Sequence, residues 1–346
     1  MLSLHSTYSD SFVPKSVSNM AARHLGQLYN PDITIDNYAD ILTYCDSFDI
    51  GVSDAQVDFV MEQTKSQSKS KLWFTMRAGR VTASIFHAAC HTRIEKPAMS
   101  LLRVICSPND QCFSSAATDW GKSNEAFARD AYVTSQHAQH SDFDCSDCGL
   151  FLNTEYPMFG ATPDGLVNCS CCGVGVVEVK CPITLRDGNM SSLDWMVIES
   201  DGKFRLRKTH RHYYQVQMQL FVTNREYCDF VVWSPKMLYI ERIVPDSVWW
   251  AEKSKQGMLF HAKCVMPELC MKYFTTKSIL VPSNAVIQSG STSKYCICGG
   301  EDDGQKMICC DNENCCVQWY HVKCLKVKRV PRGKWFCPQC KTVKRK

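Results

Sequence analysis

GATPDGLVNCSCCGVGVVEVKCP, residues 160–182, contains two apolar segments on either side of a cysteine-rich turn. Its Pro-Asp-Gly triplet predicts a tight turn at Asp164, because proline fixes the backbone and glycine permits a sharp bend. The apolar run that follows predicts a strand, and strand alternation places Glu178 and Lys180 on one face. A hairpin between the two segments would bring Asp164 close to Glu178.

Two carboxylates and a lysine ammonium in this arrangement have a specific chemical use. Carboxylate oxygens are good ligands for Mg²⁺, and a lysine beside them can position or deprotonate a water that attacks a phosphate. Pro-Asp followed by Glu-x-Lys is the order found in metal-dependent nucleases. Each half alone is also compatible with ordinary structure, since Pro-Asp-Gly is a common turn and Glu-x-Lys often a surface ion pair.

Length and composition limit the remaining possibilities. The 346 residues suffice for about two domains, and 45% hydrophobic content allows a substantial core. The net charge of +4 does not by itself indicate a nucleic-acid partner. The chain opens without a signal-peptide pattern and has no apolar run long enough for a membrane span, so no membrane partner is expected. In a chain expected to be intracellular, 22 cysteines favour metal ligation over disulfides.

The uneven distribution of cysteines along the chain indicates a domain boundary. Nine of the cysteines lie between Cys296 and Cys340, and a polar stretch without periodicity precedes them, which predicts a linker. We therefore expect five segments: an N-terminal helical extension (1–69), an α/β domain (70–272), a linker (273–293), a zinc-binding module (294–343) and a basic tail (344–346).

The expected α/β domain alternates between helical and strand periodicities. Helices are predicted over 123–132 and 213–223. The predicted strands cover 149–152, 159–167, 174–180, 227–233 and 238–244. This alternation indicates a mixed sheet flanked by helices.

Five sequence blocks occur in a familiar order. They are Arg77–Ser84, Trp120–Glu125, Gly160–Leu166, Val177–Pro182 and Gln215–Gln217. Their order resembles that of YqaJ-type viral recombinases, which are similar to lambda exonuclease. The resemblance implies a restriction-endonuclease-like fold, with a mixed sheet between helices. It also implies Mg²⁺-dependent digestion of duplex DNA from a 5′ end.

The same resemblance implies roles in the active site for six residues: Glu125, Asp164, Glu178, Lys180, Gln215 and Gln217. The three acids would bind one or two Mg²⁺ ions, Lys180 would activate water, and one of the glutamines would complete the pocket. An ordinary exposed helix position is a strong alternative for either glutamine. For Asp164, Glu178 and Lys180 taken together, an ordinary turn and a surface ion pair are a weak alternative.

Basic residues are expected to hold the DNA. By resemblance, Arg77 and Ser84 would bind the 5′ phosphate, where a guanidinium makes paired charge-assisted hydrogen bonds. A second basic cluster includes Arg205, Arg207 and Lys208, and the sequence has no acid between positions 203 and 223. Such clusters bind phosphates, although a solvated charged loop explains each single residue equally well.

Cysteines also cluster within the α/β domain. Cys145 and Cys148 precede one predicted strand, and Cys169, Cys171 and Cys172 follow another. If these strands pair antiparallel, the two groups meet. Cys145, Cys148 and Cys169, with either Cys171 or Cys172, would then close a third Zn²⁺ site. Free buried thiols are the alternative.

The C-terminal module carries eight potential metal ligands in the order four cysteines, one histidine, three cysteines. In a cross-braced arrangement the first Zn²⁺ is bound by Cys296, Cys298, His321 and Cys324. The second is bound by Cys310, Cys315, Cys337 and Cys340. Since about fifty residues cannot bury a large core, the two ions should supply much of the folding free energy. The adjacent Cys309 and Cys316 are rival ligands.

The ligand order, with Trp319 two residues before the histidine, resembles a PHD finger of the inhibitor-of-growth type rather than a RING domain. This resemblance implies recognition of trimethylated lysine near the N-terminus of histone H3. Tyr295, Met307 and Trp319 would line the methyl-ammonium pocket, because aromatic faces attract a cation. Packing of the two rings in the small core is the alternative.

Together these features predict a nuclear, Mg²⁺-dependent DNA exonuclease joined to a chromatin-reading zinc finger. Its expected partners are double-stranded DNA ends and a methylated histone H3 tail. Lambda-type relatives form rings, so the resemblance also implies a homo-oligomer. The alternative is a chromatin protein whose nuclease fold binds DNA without cutting it.

Overall fold

The structure is a computed structural model. It describes residues 20–108, 116–280, 307–310, 319–322, 324–325, 335–337 and 340. The chain divides into two compact units, Met1–Val281 and Pro282–Lys346. Each unit is described by itself.

The α-helices whose bounds the structure describes lie in the first unit. They are α1 (Tyr38–Asp46), α2 (Asp54–Gln63), α3 (Lys71–Arg77), α4 (Phe86–His91), α5 (Met99–Cys106), α6 (Ala116–His137), α7 (Arg211–Thr223), α8 (Ser247–Phe260), α9 (Met266–Met271) and α10 (Tyr273–Leu280). Among the residues the structure describes, no helix combines the length and apolar character that a membrane crossing requires.

The described strands are β1 (Val81–Thr82), β2 (Asp144–Ser146), β3 (Phe151–Leu152), β4 (Phe159–Ala161), β5 (Gly165–Cys169), β6 (Gly173–Lys180), β7 (Met196–Ile198), β8 (Phe204–Leu206), β9 (Tyr227–Ser234), β10 (Met237–Ile243), β11 (Met307–Cys309) and β12 (Trp319–His321). The first ten belong to the first unit and the last two to the second.

A five-stranded mixed sheet is the centre of the first unit, with strand order β10-β9-β6-β5-β2. β6 pairs with β9 in parallel, and the other neighbours are antiparallel. In the β5–β6 hairpin Gly165 pairs with Val177, so the start of β5 lies beside the end of β6. The mixed sheet with helices predicted from the sequence is confirmed.

The predicted strand over 159–167 is corrected by the structure. β4 and β5 belong to different sheets, because β4 pairs with β1 and β3 while β5 joins the central sheet. The chain leaves one sheet and enters the other at Thr162, Pro163 and Asp164. Proline has no N–H for a strand ladder, so this is a natural point for the change.

Helices pack against both faces of the central sheet. Val177 and Val179 of β6 pack with Ala128 and Tyr132 of α6 in one core cluster. On the other face, Val176 of β6 packs with residues of α7, including Val216 and Leu220. Strand alternation therefore directs Glu178 and Lys180 toward the α7 side.

The N-terminal segment is part of this unit. Leu25, Ile41 and Cys45 belong to its largest core cluster, together with residues of α4, α8 and α9. Thr64, which follows α2, accepts a 2.8 Å hydrogen bond from the amide of Leu150. At the other end, α10 continues the unit beyond residue 272, over the first part of the predicted linker.

The second unit contains an antiparallel ribbon of β11 and β12. Ile308 and Tyr320 are paired across this ribbon and are both buried. They share a small core with Trp335 and with Cys310, Cys337 and Cys340. With few large apolar side chains among its described residues, such a core needs additional stabilisation.

Candidate functional site

Asp164 is fixed beside the end of β6. Its backbone N–H donates to Val177 O at 3.1 Å, and its Oδ2 accepts a hydrogen bond from the N–H of Val179 at 2.7 Å. Since Val179 is flanked by Glu178 and Lys180, the hairpin register brings the Asp164 carboxylate next to both residues.

Glu178 is buried, with 2% of its surface exposed, and it is surrounded by donors. Its Oε1 accepts hydrogen bonds from Lys180 Nζ and from Gln215 Nε2, the latter at 2.6 Å. Its Oε2 accepts from Gln219 Nε2, also at 2.6 Å. Burial of a carboxylate is compatible with folding because it is paired and hydrogen-bonded in this way.

Helix α7 presents Gln215 and Gln219 to the site but not Gln217. Residues four apart share a helix face, whereas a residue two positions away points elsewhere. Gln217 instead donates to Val244 O at 2.9 Å and accepts from the N–H of Asp246 at 2.8 Å. The structure therefore corrects the sequence interpretation, which named Gln217 and missed Gln219. The helical period applied from Gln215 would have identified Gln219.

Glu125 approaches the same site from α6. Its side chain is more exposed than that of Glu178, but partial desolvation and the nearby Glu178 carboxylate raise its pKa, while Lys180 and Arg129 oppose this shift. The structure thus brings together Glu125, Asp164, Glu178, Lys180 and Gln215.

Three acidic side chains share the site with one lysine. Burial, together with repulsion from Glu178, raises the pKa of Asp164 well above its usual value, and Glu125 adds to this effect. Burial opposes the charged form of Lys180, yet the Glu178 and Asp164 carboxylates raise its pKa overall. Lys180 is therefore protonated at neutral pH and can donate to these acids.

These residues fit a hard divalent cation. Carboxylate and amide oxygens are the ligand types such ions prefer, and among the described residues Gln219 Oε1 is buried without a hydrogen-bond partner. Among the described residues the ligand oxygens of Glu125, Asp164 and Glu178 do not all lie within 4.8 Å of one another, so in this arrangement they do not all bind one ion directly. Mg²⁺ is often held by one or two carboxylates and keeps several of its own waters.

Trp73 connects Arg77 to the turn that contains Asp164. Its guanidinium stacks over Trp73 at 3.8 Å from the ring centroid, and Trp73 Nε1 donates to Thr162 Oγ1 at 3.1 Å. Burial lowers the pKa of Arg77 to about 10. Its Nε is buried with no hydrogen-bond partner among the described residues. Ser84 is exposed on a short 3₁₀ helix, Ala83–Ile85.

The predicted basic cluster is partly neutralised by acids from other segments. Arg205 forms an ion pair with Asp201 at 3.2 Å, and Lys208 forms one with Asp246 at 3.0 Å. Arg207 is exposed. The absence of acids within the run did not reveal these pairs, because Asp246 is distant in sequence.

Three other basic residues add no exposed positive charge for DNA binding. Arg80 is 1% exposed and donates to the backbone carbonyls of Met76, Pro157 and Arg23. Burial lowers the pKa of His210 to about 4 and that of His212 to about 2, so both imidazoles are neutral at pH 7.

The four cysteines proposed for a third zinc site do not meet. Cys148 donates to Pro163 O at 3.4 Å, just before β5 begins, whereas Cys169 is the last residue of β5. The strand that pairs with β5 is β2, and its antiparallel register leaves Cys148 and Cys169 at opposite ends. Cys169, Cys171 and Cys172 instead surround His140. This histidine was not among the predicted ligands.

In the second unit the sulfur atoms of Cys310, Cys337 and Cys340 lie within 4.8 Å of one another. The N–H of Cys337 donates to Cys310 Sγ at 3.2 Å, and the N–H of Cys340 donates to Cys337 Sγ at 3.3 Å. Sulfur atoms that converge and accept backbone N–H groups fit a tetrahedral zinc site. Cys324 is described but is not part of this group, and Cys309 is exposed.

Other predicted residues of this unit are only partly described. Met307, Trp319 and His321 lie in β11 and β12, where Met307 pairs with His321 and Cys309 with Trp319. Tyr295 and four cysteines lie outside the described residues: Cys296, Cys298, Cys315 and Cys316.

Comparison with known families assigns both units. Residues 72–226 match the YqaJ-like viral recombinase domain, and residues 296–340 match the PHD-finger. The chain thus combines a recombinase-type domain with a zinc-finger module. Specifically, it carries a YqaJ-like viral recombinase domain and a PHD finger similar to those of inhibitor-of-growth proteins. Both resemblances predicted from the sequence are confirmed.

Two curated relatives match this chain over a segment of PHD-finger length. The chain is 47% identical over 51 residues to PHD finger protein ING1 of Arabidopsis thaliana, which is 15% of this chain and 21% of that protein. It is 45% identical over 47 residues to Inhibitor of growth protein 3 of Homo sapiens, covering 14% of this chain and 11% of that protein. The chain therefore spans less than a quarter of the length of these relatives.

Solved structures with some likeness include an alkaline exonuclease, LHK-Exo, from Laribacter hongkongensis. It is 24% identical, with 62% of this chain and 100% of that chain covered and a TM-score of 0.44. The Shutoff and Exonuclease Protein from Kaposi's sarcoma-associated herpesvirus is 12% identical, with 70% and 77% covered and a TM-score of 0.41. Both TM-scores are below 0.5, so these likenesses do not define the fold of this chain.

Proposed function

We propose that the first unit is a Mg²⁺-dependent deoxyribonuclease that digests duplex DNA from a 5′ end. The observation that carries this proposal is the convergence of Asp164, Glu178 and Lys180 at the end of the β5–β6 hairpin. The YqaJ-like assignment of residues 72–226 supports the same activity.

Asp164 and Glu178, with Glu125, would hold the metal. When bound, Mg²⁺ offsets the negative charge that develops on the phosphate and the leaving oxygen during hydrolysis. Gln215 and Gln219 fix the Glu178 carboxylate, so its oxygens need little reorganisation when substrate binds. Asp164 is fixed by Val179 in the same way.

In this proposal Lys180 acts as a hydrogen-bond donor and not as a base. Because its pKa is raised, it carries a proton at neutral pH and cannot remove one from water. Its ammonium can orient the attacking water and stabilise the negative charge that forms on the phosphate oxygens. This is narrower than the role expected from the sequence, where Lys180 was also a candidate base.

Arg77 would bind the phosphate at the DNA end. It has an unpartnered buried Nε and lies one aromatic ring away from the Asp164 turn. Among the described residues this half-buried guanidinium has no acidic partner, so it is well suited to a phosphate, which it can bind with two hydrogen bonds. Exposed Ser84 and Arg207 are further candidates for DNA contact, whereas Arg205 and Lys208 would first have to leave their ion pairs.

The nuclease proposal is tested with the full chain and a 5′-phosphorylated duplex labelled at either end. We expect Mg²⁺-dependent loss of nucleotides from the 5′ end. Asp164→Ala and Glu178→Gln should lower the rate by roughly 10³-fold or more. Asp187→Asn is the matched control, because Asp187 is an exposed acid that contacts only Lys236 at 3.8 Å among the described residues. Equal rates for the wild type and Asp164→Ala would refute the proposal.

We further propose that the PHD finger binds a histone H3 tail carrying methylated lysine and that the protein acts in the nucleus. Support comes from the 47% identity to an inhibitor-of-growth PHD finger. The proposed pocket residues are Tyr295, Met307 and Trp319. Two Zn²⁺ ions would hold this module, one of them through Cys310, Cys337, Cys340 and Cys315.

The reader proposal is tested by calorimetric titration of the full chain with H3 peptides. A trimethylated peptide should bind about tenfold more tightly than the unmodified peptide, since a desolvated cation–π contact contributes roughly 1–2 kcal/mol. Trp319→Ala should remove this difference. If it leaves the preference intact, Trp319 is not part of the pocket.

One observation favours the alternative of a DNA-binding protein without nuclease activity. Both oxygens of Glu178 already accept hydrogen bonds from side chains. If these donors cannot yield to a metal, the unit would bind DNA without cutting it. Wild-type protein that binds duplex DNA but shows no Mg²⁺-dependent digestion would support this alternative.

A further inference from the structure

His140, Cys169, Cys171 and Cys172 form a compact cluster away from the nuclease site. Cys169 ends β5, and Cys171 and Cys172 lie in the turn before β6. His140 comes from the loop between α6 and β2. One nitrogen and three sulfur atoms from these residues all lie within 4.8 Å of one another.

The separations within the cluster are those of a tetrahedral site. His140 Nδ1 lies 3.7 Å from Cys169 Sγ, 3.2 Å from Cys171 Sγ and 3.4 Å from Cys172 Sγ. Cys171 Sγ lies 3.5 Å from Cys169 Sγ and 3.8 Å from Cys172 Sγ. Ideal tetrahedral Zn²⁺ geometry gives about 3.5 Å between nitrogen and sulfur and about 3.8 Å between two sulfurs.

We propose that these four residues bind a structural Zn²⁺ ion in the YqaJ-like domain. Four protein ligands complete the tetrahedron, so no position is left for substrate or water, as is usual for structural zinc. Soft thiolates exclude Mg²⁺ and Ca²⁺ from such a site. The ion is therefore chemically distinct from the cation proposed for Asp164 and Glu178.

Surrounding residues support this cluster electrostatically. Three thiolates outweigh the charge of Zn²⁺, so the site carries one excess negative charge. Arg242 is held by Asp229 at 2.8 and 2.9 Å, and its guanidinium lies near Cys172. A cation beside a ligating sulfur is the kind of outer interaction that stabilises metal sites.

The backbone conformation and the hydrogen bonds around the cluster also hold its residues in place. Gly173 has a φ of +78°, a conformation that other residues rarely adopt, and it ends the turn that carries Cys171 and Cys172. Ser170 in the same turn donates to Asp142 Oδ2 at 2.9 Å, and its N–H donates to Ser141 O at 3.3 Å. The turn is thereby attached to the loop that provides His140.

The position of the cluster indicates its role. It lies at one end of the β5–β6 hairpin, and the nuclease site lies at the other. Gly173 and Glu178 are five residues apart on β6, which corresponds to about 17 Å. The ion would tie the hairpin turn to the α6–β2 loop and so fix the register that places Asp164 beside Val179.

The zinc proposal is tested by elemental analysis of the full chain purified without chelators. We expect His140→Ala and Cys171→Ser each to contain one zinc ion fewer than the wild type. His140→Cys should restore the wild-type content, since a fourth thiolate can replace the imidazole. Cys145→Ser is the matched control, because Cys145 lies on neighbouring β2 outside the cluster, and it should keep the full zinc content.

A second measurement needs no variant. Cys171 is exposed, so its free thiol would react rapidly with an alkylating reagent, whereas a zinc-bound thiolate is protected. Peptide mass spectrometry should show labelling of Cys171 only after zinc is removed by a chelator. Rapid labelling without chelator, or protection that only a reductant removes, would overturn the proposal, the latter by showing a disulfide. Unchanged zinc content in both His140→Ala and Cys171→Ser would overturn it as well.

Discussion

The carboxylate of Asp164 accepts a hydrogen bond from the backbone N–H of Val179 at 2.7 Å, at the open end of the β5–β6 hairpin. This bond places an acid from the residue before β5 beside Glu178 and Lys180 at the end of β6. The proposed nuclease site therefore depends on the register of the hairpin.

Asp164→Asn should stabilise the protein at neutral pH when no divalent cation is added. Burial beside Glu178 raises the pKa of Asp164 in the folded state. Below the unfolded-state pKa of about 3.9 both states are protonated. As the pH rises above that value, the unfolded state ionises first, so the free energy of unfolding falls until the pH passes the folded-state pKa.

Asparagine keeps an acceptor for Val179 but has no charge. We expect a gain of about 1 kcal/mol, or roughly 2–4 °C in melting temperature, at pH 7 and no gain near pH 3. Thermal melts of both proteins across this range provide the measurement. A pH-independent difference would show that the effect does not come from ionisation of Asp164.

Gln219→Ala and Gln217→Ala should have different consequences although the two residues are on one helix. Loss of Gln219 leaves Glu178 Oε2 without its donor, so the turnover rate should fall about 10- to 100-fold. Loss of Gln217 removes bonds to Val244 and Asp246, which should lower the melting temperature but preserve the rate. Steady-state kinetics at saturating Mg²⁺, with melts of each variant, would distinguish them; similar kinetic losses would contradict the assignment.

Lys180→Gln should reduce turnover without weakening metal binding. Removing the ammonium eliminates a donor to the attacking water and a positive charge beside the metal ligands. We expect a rate loss of roughly 10²-fold or more and an unchanged or tighter Mg²⁺ dependence. Lys236→Gln, at an exposed lysine paired with Asp187, is the control. A large increase in the Mg²⁺ concentration needed for activity would instead assign Lys180 to metal-site assembly.

Substitutions of Arg77 and Arg80 should have different effects, the first on DNA binding and the second on the stability of the fold. Arg77→Ala should raise KM about tenfold for a 5′-phosphorylated duplex and change it little for a 5′-hydroxyl duplex, since only the former offers the phosphate. Arg80→Ala should cost about 3 kcal/mol or more of stability, because it leaves buried carbonyls of Met76 and Pro157 without their donor. KM ratios for the two duplexes and melting curves test both statements. An equal KM increase for both duplexes would argue against phosphate binding by Arg77.

Local patterns predicted much of the fold. The alternation of Val177, Glu178, Val179 and Lys180 indicated which side chains share a face, and the structure places Glu178 and Lys180 on the α7 side. The mixed sheet with flanking helices was predicted correctly. These features depend on neighbours close in sequence, so periodicity and turn chemistry suffice to identify them.

The misassigned details involve partners that are remote in sequence. Gln219 and His140 were missed, and Arg205 and Lys208, which were expected to bind DNA, form ion pairs with acids. Whether a cation is free or paired depends on acids such as Asp246, which the fold brings from another segment.

The sequence alone determined the chemistry available to this protein: a hairpin with two acids and a lysine, and a C-terminal module rich in zinc ligands. Only the tertiary structure decided which of these groups meet. Strand pairing separates Cys148 from Cys169 and brings His140 to the hairpin turn, while the orientation of α7 selects Gln219 over Gln217. The physical reason is that strand register and helix rotation are set by burial of apolar side chains over the whole domain. The helical period relates Gln215 to Gln219, but it does not tell which face of the helix is turned toward Glu178.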